Sequence, residues 1–552
     1  MADRTDSTDG ADVAVTGLDC RFPGAPDAAA FWALLLGGGE AVRARPASRL
    51  GGRPPGEVPG LGGYLADADA FDNEFFGIAA VEAEAMDPQQ RLLLQCAWRA
   101  LEDAGFEPDE LGGSATGVYV GSMSDDWARL QAADPAGVTP RTGTGSGRSM
   151  LANRISYQLD LRGPCLTVDS ACSSSLVAVH LARTALLMGE CDTAVVGGAN
   201  LVLGSTLDLV YQQSGLAAPD GRCKPFTAAA DGIGRGEGVG VVVLRRLADA
   251  LRDGQPVYAV IKGSAVNQDG RSNGLMAPSR SAQREVARAA CRSAGVAPAE
   301  VSFVEAHGTG TALGDAIEAA SLADVYGAGR DRLCPIGSVK GNIGHVEGAA
   351  GIAGLIKTVL ALHHGLVPAS RREGGAEPRP DLAGHGLALI EEPLPLPPTG
   401  GLAALSSFGM GGSNAHLVLA DAPLAGRVAG RRTPRVFSTD HRFWPEAPGS
   451  RPQPSGETAD GPADAQDELL SAVLESVVLV LGGMVSAGDC RPDSRFYDDL
   501  GFDSVNLMEL KYRLEDRFPL LASTSLAELL PGLQTVGSLV ELLREQLVSA
   551  AV

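Results

Sequence analysis

Short β-branched runs alternate with Ala/Leu/Arg-rich stretches of helical spacing along most of this chain. The runs are Val13–Val15, Gly117–Val120, Cys165–Val168, Ala194–Val196, Gly240–Leu244, Tyr258–Ile261, Val301–Val304, Pro335–Val339 and His416–Leu419. Each is long enough for one strand, and Leu176–Met188 reads as a helix after the third. This alternation predicts sheets covered by helices over residues 12–422. From 423 to 465 Pro, Gly, Arg and Asp dominate, which predicts a linker with little surface to bury. Inside it His441-Arg-Phe-Trp444 carries aromatics that are costly to leave in water, so a docking segment is expected near 436–446. Past Gln466, Leu469, Leu470, Val473, Leu474, Val477 and Val478 trace one apolar helix face. Further helical runs begin at Ser504 and near Ser538. Residues 466–548 thus predict a small all-α bundle of three or four helices, and residues 1–11 a disordered N-terminus.

Composition narrows the functional classes. A chain of 552 residues exceeds the roughly 250–300 residues at which single cores stop growing, so more than one domain is expected. Its formal net charge of −22 argues against nucleic acid or an anionic membrane as partner. The nine cysteines are irregularly spaced without a CxxC pair, which fits a reducing cytosol and neither a disulfide framework nor a metal site. The start lacks an apolar secretory core, and no uninterrupted apolar run reaches membrane-spanning length. A cytoplasmic protein is expected.

Four segments carry candidate chemistry. Cys172 lies in Asp169-Ser-Ala-Cys-Ser-Ser-Ser175, where a strand-like run gives way to a helix. A helix start stabilises a thiolate, the nucleophilic form, although the local sequence also fits a small packing residue. Downstream, Glu305-Ala-His307-Gly-Thr-Gly-Thr311 and Lys340-Gly-Asn-Ile-Gly-His345 each follow a strand-like stretch and open a helix-like one. Imidazoles so placed donate hydrogen bonds or shuttle protons near neutral pH. Ser406-Ser-Phe-Gly-Met410-Gly-Gly-Ser-Asn414 has glycines that let backbone N–H groups approach a ligand, as an oxyanion hole requires, or else it is a tight turn into the strand at His416.

Together these motifs resemble the β-ketoacyl synthase (ketosynthase) of type I modular polyketide synthases, and the resemblance covers about residues 10–422. It implies an α/β, thiolase-like five-layer α/β/α/β/α fold and a homodimer. It further implies Cys172 as the acyl-accepting nucleophile, and His307 and His345 as the pair that promotes decarboxylation of a malonyl-type extender. Lys340 is implied as electrostatic support, and the backbone N–H groups of Cys172 and Met410 as the oxyanion hole. No metal is implied. Two positions depart from the family pattern: Gly341 replaces a common Ser, and Met410 stands at a gate elsewhere filled by Phe or an aliphatic residue. Asp498-Asp-Leu-Gly-Phe-Asp-Ser504 resembles the attachment site of an acyl carrier protein, a four-helix bundle whose Ser504 would hold 4′-phosphopantetheine. From Gln466 onward the chain has 14 Asp and Glu against 6 Lys and Arg, which suits docking to basic patches.

Two other patterns are set aside. Gly270-Arg-Ser-Asn-Gly274 matches a hydrolase G-x-S-x-G without a strand-to-helix elbow. Gly232-Ile-Gly-Arg-Gly-Glu-Gly238 looks dinucleotide-binding but precedes a strand instead of following one. With no acyltransferase stretch left, a trans-acting acyltransferase is the expected source of extender, and His441–Trp444 resembles the end of a linker that packs on a ketosynthase. Further expected partners are a phosphopantetheinyl transferase and upstream and downstream carriers or modules. Decarboxylative Claisen elongation is the leading function. Alternatives are acyl transfer between carriers without elongation, ester or amide formation with a non-malonyl nucleophile, and an inactive scaffold.

Overall fold

The computed structural model describes residues 12–49, 58–133, 135, 138–379, 381–426, 435–444, 465–481, 490–496, 499–500, 502, 504–518 and 532–550. The predicted disordered start, residues 1–11, lies outside them. The chain divides into two compact units, one of Met1–Ala68, Pro88–Trp127 and Arg148–Val436, the other of Asp69–Asp87, Ala128–Gly147 and Phe437–Val552.

In the first unit, eleven strands pair into one sheet. They are β1 (Val13–Arg21), β2 (Thr116–Gly121), β3 (Cys165–Val168), β4 (Thr193–Asn200), β5 (Gly238–Arg246), β6 (Ala259–Gln268), β7 (Phe303–Glu305), β8 (Cys334–Gly337), β9 (Leu387–Leu389), β10 (Leu402–Phe408) and β11 (Ser413–Asp421). Their order is β9-β8-β7-β10-β11-β6-β1-β5-β4-β2-β3. The strands β1 to β5 run β3-β2-β4-β5-β1. The later set repeats that wiring as β8-β7-β10-β11-β6, with β9 added at its edge. Among the described residues, the strands of the two sets pair where Val13–Val15 of β1 runs antiparallel to Ile261–Ala259 of β6. In sequence this duplication is invisible, because it lies in pairing order and not in repeated residues.

The third strand of each set leads into a buried helix, Ser174–Met188 after β3 and Ala350–His364 after β8. Leu176, Val179 and Leu186 of one share a core cluster with Ile352, Ile356 and Val359 of the other and with Val196, Val242, Leu405 and Leu417 of the strands. Helices apolar on most sides belong between two sheets. Pro88–Asp103 covers the outer face of the first set and Arg280–Ala294 that of the second. The result is the expected five layers of a thiolase-like fold. Averaged over 18 residues, Ala171–Met188 has the length and composition of a membrane span. Its hydroxyls and His180 break the apolar run without making it polar overall, and most of it is buried in the fold.

In the second unit, helices Ala465–Val480, Ser504–Arg517 and Val536–Ala550 share one core of Leu469, Val473, Val477, Phe496, Leu507, Leu510, Leu539 and Leu543. The same unit holds the linker aromatics. Phe443 is buried and donates its N–H to the Asp69 carbonyl at 2.9 Å, while the Phe437 ring lies 5.3 Å from Phe75 and 5.4 Å from Phe76.

At the end of β2 a Cβ on Gly121 would lie 2.2 Å from the Ser175 nitrogen, backbone that has no freedom to yield. Gly121→Ala is therefore expected to lower stability by about 3 kcal/mol, the upper end for overpacking. A shift of the denaturant midpoint to lower concentration checks this, and an unchanged midpoint contradicts it.

Candidate active site

The nucleophile candidate sits on a turn that its serines build. The Ser170 N–H donates to Ser174 Oγ at 2.9 Å, and Ser173 Oγ donates to the Ser170 carbonyl at 2.8 Å. Ala171 has φ 56°, a left-handed conformation that L residues adopt at a cost, and Asp169 Oδ1 accepts its N–H at 3.0 Å. The Ser407 hydroxyl of β10 donates to the Cys172 carbonyl at 2.9 Å. Cys172 itself is 5 % exposed.

Segment Ser406–Asn414 resolves into strand and turn. Residues Ser406–Phe408 finish β10, which pairs with β11 as far as Phe408 opposite Asn414. Only Gly409–Gly412 form the loop. A Cβ on Gly409 would stand 2.1 Å from the Ser170 carbonyl oxygen, so the loop lies directly against the Cys172 turn. The main-chain N–H groups of Met410 and of Cys172 are near enough to the sulfur to favour its charged form.

Both histidines meet there. Their ring centroids are 5.6 Å apart, and each accepts a backbone N–H at Nδ1: His307 from Phe408 at 3.3 Å and His345 from Glu347 at 3.0 Å. An imidazole accepting at Nδ1 carries its proton on Nε2. The His345 Nε2 is buried with no partner of its own. Burial, with Lys340 adding positive charge, holds both imidazoles well below their usual pKa, so they stay neutral.

Lys340 is 3 % exposed and donates its ammonium to the His307 carbonyl. Burial pushes its pKa down, against the pull of Glu305 and Glu318. Glu318 accepts the N–H groups of His307 and Gly308, each at 2.7 Å. Burial pushes its carboxyl up to about 7.

Sequence reading missed what holds His345. Glu347, with φ 44°, turns its N–H toward that imidazole, and its buried carboxylate is clamped by Arg235 at 2.6 and 3.0 Å. Arg235 also contacts Asp208 at 3.1 Å, which in turn meets Arg45 at 2.7 Å. Arg235 stands in the glycine-rich segment set aside above as a false dinucleotide motif. No local signal joins it to Glu347, which is 112 positions away.

The thiol departs from expectation. A helix start favours thiolate, yet burial pushes Cys172 up to about 12, with the Glu347 charge adding to the rise; Lys340 and the Met410 N–H only partly oppose it. The resting residue is a thiol.

Ser504 opens helix Ser504–Arg517, where the positive end of the helix dipole suits an attached phosphodiester. Its side chain lies outside the described residues, as does Asp503. Ser504 belongs to the second compact unit, and Cys172, His307, Lys340, His345 and Met410 belong to the first.

Three family models match the chain. Residues 11–250 match the beta-ketoacyl synthase N-terminal domain, 258–372 its C-terminal domain, and 471–543 the phosphopantetheine attachment site. Two phenolphthiocerol/phthiocerol polyketide synthase polypeptides of Mycobacterium tuberculosis are similar to it. One is 47% identical over 79% of this chain and 25% of its own length. The other is 49% identical over 74% of this chain and 27% of its own. The chain therefore spans about a quarter of the length of these curated relatives. Among solved structures, the oxazolomycin ketosynthase domain of Streptomyces albus matches at TM-score 0.70 and 38% identity, covering 75% of each chain. The ketosynthase from module 6 of the bacillaene synthase of Bacillus subtilis matches at 0.68 and 38%, covering 75% of this chain and 72% of its own.

With a thiol pKa near 12, the rate of Cys172 alkylation by iodoacetamide is expected to rise about tenfold per pH unit from pH 7 to 9, following the thiolate fraction. Intact-mass kinetics read this directly. A plateau at or below pH 7 would mark a stabilised thiolate and contradict the burial argument.

Proposed function

Because the chain belongs to the β-ketoacyl synthase family and carries a domain for covalent phosphopantetheine on a serine, we propose that it elongates an acyl chain by decarboxylative Claisen condensation. The synthase would occupy residues 12–422 and the carrier 466–548, with 4′-phosphopantetheine on Ser504. That group supplies a thioester-forming thiol on a mobile arm. The observation that carries the reading is the pair of neutral imidazoles, each held at Nδ1 by a backbone N–H and each left to donate from Nε2.

Cys172 Sγ attacks the thioester carbonyl of an incoming acyl chain. The new C–S bond forms as the old one breaks, and the thiol proton passes to the departing sulfur, so no free thiolate has to persist. The extender then loses its carboxylate as CO2, and the electron pair of the broken C–C bond moves onto its thioester carbonyl oxygen. His307 and His345 donate to that oxygen from Nε2, while Lys340 steadies the His307 main chain. The extender carbon attacks the acyl carbonyl on Cys172. The N–H groups of Cys172 and Met410 hold the oxygen that gains charge, and the C–S bond breaks to release the sulfur, which takes a proton from water to return to the thiol. Met410, half-buried at this loop, is positioned to select among acyl chains.

Residues 423–465 fall short of the roughly 50 residues at which typical domains begin, too few to hold an acyltransferase. An acyltransferase acting in trans would load the extender, a phosphopantetheinyl transferase would install the arm, and neighbouring carriers or modules would supply and receive chains. Strand β3, at the sheet edge and only partly buried, supports homodimerisation by edge pairing next to Cys172. A cytoplasmic location fits this set of partners.

The test loads malonyl on Ser504, acylates Cys172 with a short thioester, and weighs both sites by intact mass. The expected outcome is a β-ketoacyl carrier with loss of CO2. Transfer of the unextended acyl group, or its capture as an ester or amide, would replace this reading with the corresponding non-elongating one. His307→Ala and His345→Ala should each slow condensation by about 10²-fold or more while Cys172 still acylates.

A further inference from the structure

In the second compact unit one guanidinium reaches two helices at once. Arg141, on helix Pro140–Ser146, sends Nη1 to Glu509 Oε1 at 3.2 Å and Nη2 to the Val480 carbonyl at 2.6 Å. Its side chain is 5 % exposed and that of Glu509 4 %. Removing two charges from water is costly unless each is paired with good geometry. Here Arg513 Nε also donates to Glu509 Oε1 at 3.0 Å, so the carboxylate meets two cations. The Val480 carbonyl ends helix Ala465–Val480, where last-turn carbonyls lack intrahelical donors and favour positive charge.

We propose that Arg141 is the docking latch for the carrier bundle, recognising Glu509 on the helix that begins at Ser504 together with the C-terminal carbonyl of the first carrier helix. Arg141 falls within the synthase match, residues 11–250, whereas Val480 and Glu509 fall within the carrier match, 471–543. A single charge pair would bind any acidic segment. A fork that needs a carboxylate and a helix-end carbonyl at fixed spacing selects a folded bundle. Lys511 already pairs with Glu515 and Arg495 with Asp499, so these neighbouring acids have partners inside the bundle, whereas Glu509 also reaches across to Arg141. The inference rests on the reading of 471–543 as a carrier.

Full-length protein with Arg141→Glu, Glu509→Arg or both changes tests it by hydrogen–deuterium exchange of peptides covering 140–147 and 504–517. Either single change is expected to speed exchange of the 140–147 peptide about tenfold, and the double change to add little beyond the faster single one, because both break one shared contact and a carboxylate at position 141 cannot donate to the Val480 carbonyl. Condensation from malonyl-loaded Ser504 should fall in the same non-additive pattern, while acylation of Cys172 by a diffusible short thioester stays constant across all four proteins. Glu509→Gln, which keeps the side-chain shape, should give an intermediate exchange rate and guards against misfolding by the reversals. Equal exchange in all four proteins, or a double change whose effect is the product of the two single ones, overturns the latch. A wild-type protein that protects 140–147 but makes no β-ketoacyl product overturns the elongation reading and leaves the latch supported.

Discussion

One hydrogen bond ties the two buried helices together at their starts: the Ile352 N–H donates to Ser175 Oγ at 3.0 Å. Cys172 precedes Ser175 by three residues and His345 precedes Ile352 by seven, so this contact sets the distance between nucleophile and imidazole. Both helices are too apolar to face water and are held between the two halves of the sheet. The duplicated wiring then does the positioning. The thiol follows the third strand of one set, and His345 follows the third strand of the other.

Electrostatics in this interior favour neutral groups over charges. Burial keeps the Cys172 thiol protonated and both imidazoles uncharged. The charges that do lie inside are compensated: Glu305 with Lys357 at 2.6 Å, Arg235 with Glu347, and Lys340 near Glu305 and Glu318. A site built this way offers preorganised N–H donors to oxygens that gain charge during reaction, in surroundings where such donors act strongly. Glu347 acts on this site through His345. Its carboxylate anchors a strained backbone whose N–H decides which nitrogen of His345 carries the proton.

Much of the candidate site was legible because each piece is local. Cys172, His307, His345 and the Gly409–Gly412 turn all lie at strand ends on loops rich in small residues, and a strand followed by a helix is written in a dozen consecutive positions. The hairpin was half read: Ser406–Phe408 looked like loop because hydroxyls and glycines surround them, yet they pair with β11 through backbone bonds that side-chain pattern does not report. The Arg235–Glu347 clamp and the Arg141 fork were not readable, since each joins residues more than a hundred positions apart and neither partner carries a signal of its own.

The residue types, their order along the chain and the change from α/β alternation to an acidic helical bundle were determined by the amino-acid sequence itself, because periodicity and turn chemistry act over a few neighbours. Which strands pair, which helices are enclosed and which way the thiol titrates were decided only in the folded molecule. Desolvation depends on everything packed around a group, and around Cys172 it outweighs the local helix-start effect that the sequence alone makes visible.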